Sequence, residues 1–142
     1  MLKKTIKYVD YNGLEREEDF YFNLSKAELA QMELGTSGGY TEYLKRIAAA
    51  KDVPALTKLF KELIMKAYGV KSEDGRRFIK NDEVREAFEQ TEAFSILYME
   101  FITDDVKAAE FLNGILPADI AERAVEEQAE KALANASLEV LK

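Results

Sequence analysis

A chain of 142 residues, 47% hydrophobic and with two prolines, is long enough for one domain with its own core. Its 27 acidic residues against 20 basic ones leave a formal net charge of −7, which disfavours a polyanionic partner such as nucleic acid. With no cysteine and no histidine, the sequence has no disulfide, no thiolate or imidazole base and no Cys/His metal site.

The opening residues, MLKKTIKYVDY, are basic but lack the apolar run and small-residue cleavage site of a signal peptide. No stretch approaches the roughly 18 apolar residues of a membrane-spanning helix. Lys3–Val9 and Glu17–Leu24 read as two strands, with Asp10–Gly13 (DYNG) as the turn signal. A strict turn on Asn12-Gly13 would set Ile6 opposite Asp19 and Tyr8 opposite Glu17. A register one or three residues longer brings Ile6 and Tyr8 beside Phe20 and Phe22. Because side chains alternate with a period of two, that choice flips a whole face, so a longer or bulged loop is expected.

Ser25 and Glu28 have the spacing of a capping box, with Leu24 and Leu29 as a hydrophobic staple, for a helix running to about Leu34. Gly35–Gly39 (GTSGG) ends it as a loop. Tyr40, Tyr43, Leu44 and Ile47 mark a second helix over Tyr40–Lys51. Asp52 is the expected cap of a third, with Pro54 tolerated in its first turn. That helix carries Leu56, Leu59, Phe60, Leu63, Ile64 and Ala67 on one stripe. Gly69 is placed as the residue just past its end, with Met65 against Val70.

Asp74-Gly75 predicts a short hairpin that pairs Val70 with Ile79. Asn81 caps a helix whose first turn holds Asp82 and Glu83, favourable to the helix dipole, and which carries Val84, Ala87 and Phe88. TEAFSILYMEF, Thr91 to Phe101, either continues that helix or follows a break near Thr91. Thr103, Asp104 and Asp105 open another helix, with Val106, Phe111 and Leu112 on it and Gly114 as its end. Past Pro117 the composition turns Ala- and Glu-rich, with a thin seam of Ile120, Ala124, Val125, Ala129 and Ala132. The expected fold is α+β and predominantly helical. It has an N-terminal β-hairpin, a second short hairpin near residues 70–79 and about six α-helices. Residues 1–116 form the compact domain. Residues 117–142 form a terminal helix, weakly docked or dependent on a partner.

Searching for chemistry returns little. The adjacent acids Asp104-Asp105 are explained by a helix first turn. SEDGRR fails as a calcium loop, because Val70 and Asn81 would occupy positions that need carboxylates. GTSGG lacks the preceding strand and following lysine of a phosphate cradle. Arg76-Arg77 reads as a solvated pair beside Glu73 and Asp74. No catalytic residue, metal ligand or cofactor is assigned. The informative feature is TEAFSILYMEF, apolar nearly all round, so that two of its sides need cover. One reading makes it plain core. The other adds a residual groove lined by Phe94, Leu97, Tyr98 and Phe101, with Phe111, Leu112 and Leu116 near them. Met99 and Tyr98 would suit adaptable contacts there.

KTIKYVDYNGLEREEDFYFNLSKAEL, FKELIMKAYGVKSEDGRRFIKN, REAFEQTEAF and FLNGILP together resemble the tail assembly chaperones of long-tailed phages and prophages of Gram-positive bacteria. The resemblance runs from about Lys3 to Pro117, with KAYGVKSEDGRRFIKN its most specific part. It implies a non-enzymatic protein of the host cytoplasm, absent from the mature virion. Its implied partner is the helical tape measure protein, kept soluble until the tail tube forms around it; the tail tube protein is a further candidate partner, and the seam past Pro117 could dock onto a neighbouring copy of the chain. Neither nucleic acid nor membrane is implied. A structural tail component, such as a connector or tube-completion protein, is the alternative.

Overall fold

The computed structural model describes residues 1–50 and 53–117. Strands β1 (Leu2–Val9) and β2 (Glu15–Phe22) form an antiparallel hairpin. Its loop is the longer, bulged kind expected. The Gly13 N–H donates to Asp10 O, the Asp10 N–H donates to Leu14 O, and Gly13 takes the left-handed φ of 82°. The Asp10 carboxylate braces the turn, accepting from the N–H groups of Asn12 and Leu14 and from Arg16 Nε at 2.6 Å. These bonds hold the Asp10 carboxyl below its ordinary range, the Arg16 contact contributing most.

The partners differ from those expected. Ile6 lies opposite Glu18 and Tyr8 opposite Arg16, while Leu2 and Lys4 face Phe22 and Phe20. The parity is nonetheless the one that matters. Ile6, Phe20 and Phe22 share a face, and Ile6 and Phe22 are buried.

Helix α1 (Lys26–Leu34) starts on the expected capping box, with Ser25 accepting from the Glu28 N–H and Glu28 accepting from the Ser25 N–H. Helices α2 (Tyr40–Ala50) and α3 (Val53–Ala67) follow. On α3 the predicted stripe turns inward, with Leu59, Leu63, Ile64 and Ala67 buried. Gly69 is not the terminating residue expected. The chain passes straight into β3 (Tyr68–Lys71), where Gly69 pairs with Tyr21. Glycine is needed there for close approach, since a Cβ would sit 2.8 Å from the Phe78 ring. Val70, expected against Met65, is 43% exposed.

The second hairpin has the predicted pairing, with Val70 opposite Ile79 across β3 and β4 (Phe78–Ile79). It is not a separate unit. Pairing of β2 with β3 at Tyr21–Gly69 and Phe22–Tyr68 joins both hairpins into one four-stranded sheet of order β1-β2-β3-β4.

Helix α4 (Asp82–Glu89), capped by Asn81, breaks before α5 (Glu92–Thr103), whose cap is Thr91. Asp104, rather than Thr103, caps α6 (Asp105–Ile115). Gly114 lies inside α6 and not at its end, packed where a Cβ would come 3.0 Å from Leu2 Cδ1. The Asp52 cap, the Leu44 side chain and the terminal helix expected beyond Pro117 lie outside the described residues.

Helices and sheet meet in an apolar cluster built from Ile6, Phe22, Leu24, Ile64, Phe88, Leu97, Phe101 and Phe111. A smaller one, Tyr40 with Leu59 and Leu63, adjoins it through Met32 and Leu112. Lys80, with a side chain only 10% exposed, locks α1 to the sheet: its Nζ donates to Asn23 O and to Glu28 Oε2, each at 2.7 Å. Burial pushes the Lys80 ammonium down, against the pull of the Glu28 carboxylate. Burial would raise Glu28, but the bonds from Lys80 and Ser25 outweigh it and leave Glu28 lowered.

A carboxylate lowered in the folded state contributes stability above its unfolded pKa and loses it as pH falls through the folded one. Lys80→Met should therefore cost about 1–3 kcal/mol near neutral pH and flatten the acid-side decline. Chemical denaturation across a pH series measures both.

The Tyr40 hydroxyl is buried and finds no hydrogen-bond partner among the described residues. Burial, with Glu62 adding to it, pushes its pKa from 10.0 up to about 12. Stability from this neutral phenol is present below the unfolded pKa and is lost as pH rises toward the folded one. Tyr40→Phe should raise stability by about 1 kcal/mol and remove that alkaline-side loss, measured by thermal melts at neutral and alkaline pH.

Candidate functional site

Helix α5 is two-faced despite its uniform composition. Ala93, Leu97 and Phe101, four residues apart, point into the core at 0%, 0% and 2% exposure. Phe101 packs on Phe111 at 4.5 Å between ring centres, and Phe111 meets Phe22 of the sheet at 5.4 Å. On the flank toward α3 and α4, Phe94 and Tyr98 stack at 5.8 Å, Phe94 meets Phe88 edge-on, and the Tyr98 hydroxyl donates to Thr57 O at 3.3 Å. On the opposite flank, Glu100 accepts from Lys4 of β1 and Lys107 of α6, both at 3.2 Å.

The candidate residues read from the sequence therefore divide. Leu97, Phe101 and Phe111 are core. Phe94, Tyr98 and Leu112 are half-buried and packed against that core, and Leu116 is half-buried after the end of α6. No open groove passes through the three buried members in this conformation.

What the helix does present outward is Ile96, Met99 and Ile102, exposed by 38%, 50% and 37%, with Val106 following at 68%. Sequence reasoning placed Met99 near the site and missed the two isoleucines and Val106. The spacing held the signal: once 93, 97 and 101 are inward, 96, 99 and 102 fall on the opposite side of a 3.6-residue helix.

Among the described residues no group of acids is arranged to hold a metal ion, and no helix is long and apolar enough to cross a membrane. The arrangement can bind apolar surface: a stripe of flexible aliphatic side chains bordered by two stacked rings.

The two faces should respond differently to substitution. Leu97→Ala should cost about 2–5 kcal/mol, because a filled core position becomes a cavity. Met99→Lys should shift stability by no more than about 0.5 kcal/mol. Denaturant midpoints of the two variants check the division.

In comparison with known proteins, the sequence model of a family described as phage tail assembly chaperone matches residues 1–140. No curated protein and no solved structure matches the chain.

Proposed function

We propose that this chain, which belongs to the phage tail assembly chaperone family, binds the tape measure protein of its tail and keeps it soluble until the tube assembles around it. The family match over residues 1–140 carries the reading. The outward stripe on α5 supports it. A long helical partner with apolar segments aggregates through those segments, and a chaperone must offer apolar surface to cover them.

In this reading Ile96, Met99 and Ile102 make the first contact, and Phe94 and Tyr98, half-buried on the same helix, border it. Leu97, Phe101 and Phe111 support the surface from within the core, while Leu112 packs against that core and Leu116 follows the end of α6. Each contact is small. Many copies along one partner make the coverage firm while leaving every copy free to be displaced by tube subunits. The net charge of −7 keeps the coated partner soluble. The role needs no bond to be made or broken. The protein acts in the host cytoplasm and is left out of the finished particle.

Coexpression with the tape measure protein of the same phage, followed by size exclusion with light scattering, tests this. The expected result is a soluble tape measure eluting with several copies of this chain. Met99→Asp combined with Ile102→Asp should fold normally and lose at least about tenfold in capture, each exposed contact contributing on the order of 1 kcal/mol. A tape measure that still precipitates, with this chain copurifying on intact tails, would overturn the reading in favour of a structural tail component.

A further inference from the structure

We propose that α2 is a displaceable cover: it lifts from the apolar face on which it lies, and an apolar helical segment of the partner takes its place. The nature of the occupant rests on the proposed tape measure partner; the opening of α2 does not.

The surface under α2 suits a helix, because a helix already fills it. Tyr40 is 9% exposed and packs with Leu59 and Leu63 of α3, and Tyr43 and Ile47 lie half-buried on the same cluster. The spacing 40, 43, 47 is the i, i+3, i+7 pattern by which an amphipathic helix seats in an apolar groove. Met32 of α1 and Leu112 of α6 border this cluster. Leu112 also packs against the main core, so the face beneath α2 runs on to the helix that follows α5. The sequence of α2 thus describes its replacement: an amphipathic helix with aromatic or aliphatic residues at those three positions.

α2 itself fits the face poorly. The Tyr40 hydroxyl is buried without a hydrogen-bond partner among the described residues, and its lost hydration is recovered when the helix lifts away. Beside it a cleft of about 260 Å³ stays open between α2 and α3, lined by Tyr43, Arg46, Ile47, Ala50 and Ala55. Phenylalanine in the place of Tyr40 would cover the same surface without the orphaned hydroxyl. It would also keep a ring under the Lys66 ammonium, which lies 5.4 Å from the Tyr40 ring centre. A partner helix so equipped binds the face more tightly, contact for contact, than α2 does.

The connection permits the exchange. Gly38 and Gly39 precede α2 at φ of 79° and 90°, a left-handed backbone that glycine adopts freely. The Tyr43 N–H donates to Gly39 O at 3.2 Å, so the helical ladder begins at this glycine pair. α2 has 11 residues, a length marginal for a helix alone in water. Once undocked it melts, and its amides open to solvent.

Hydrogen exchange on the full chain, read by mass spectrometry, tests the proposal. In the wild-type chain residues 43–50 should exchange at least about a hundredfold faster than residues 59–67 of α3. Tyr40→Phe should slow residues 43–50 about fivefold. A second measurement uses Tyr43→Asp/Ile47→Asp, which removes two of the three contacts of α2. This variant should bind a labelled synthetic peptide of residues 36–50 carrying Tyr40→Phe, read by fluorescence anisotropy. The wild-type chain, its face still covered, should bind that peptide at least about tenfold more weakly. If the double variant does not fold, exchange on the wild type and on Tyr40→Phe decides alone. Residues 43–50 exchanging as slowly as α3, or a peptide that binds both chains equally or neither, overturns the proposal. A wild-type chain that fails to solubilise the tape measure protein removes the named occupant and leaves the opening of α2 standing.

Discussion

Phe22 is where the sheet and the helices become one body. Its fully buried ring touches Tyr68 on the neighbouring strand, Phe88 at the end of α4 and Phe111 on α6. It sits at the last residue of β2, the point at which β3 joins the sheet. Hairpin register, the junction between the two hairpins and the docking of α4 and α6 all converge on this ring. A one-residue slip of β2 against β1 would turn Phe22 and Phe20 outward while Ile6 stayed inward, and the helices would lose the surface they pack on.

Polar pins supplement this aromatic centre where the chain changes direction. Lys80, just past β4, reaches back to the carbonyl of Asn23 and the carboxylate of Glu28, and Glu28 itself closes the capping box on Ser25. One ammonium thereby ties the end of β2, the start of α1 and the loop before α4 together. It is nearly buried and satisfied, the condition under which a charge in an interior is tolerated. Arg85 adds a second pin by donating from Nε to Met65 O near the end of α3. These bonds set where the helices begin and end, which apolar packing alone leaves loose.

The surface proposed for binding follows from the same packing. α5 is clamped by Glu100 to β1 and α6 on one flank and by the aromatic run Phe88–Phe94–Tyr98 on the other. Its rotation is thereby fixed, and Ile96, Met99 and Ile102 are left in solvent. The hairpin beyond Phe20 is also uncovered, with opposite charges on its two edges.

Local signals in the sequence were enough to determine the α+β class, the capping box at Ser25 and Glu28, the cap at Asn81 and the pairing of Val70 with Ile79. Each is written in a few adjacent residues: a short polar side chain before an apolar run, or Asp-Gly between strands. Other features were decided only in three dimensions. Gly69 and Gly114 look like helix terminators, yet each packs closely against a strand side chain, Phe78 and Leu2 respectively, that a Cβ would crowd. The joining of two hairpins into one sheet rests on β2 meeting β3 across the whole of residues 23–67. Most of all, TEAFSILYMEF could not say which of its faces is core. When nearly every position on a helix is apolar, periodicity carries no direction, and the neighbours that clamp the helix choose the face.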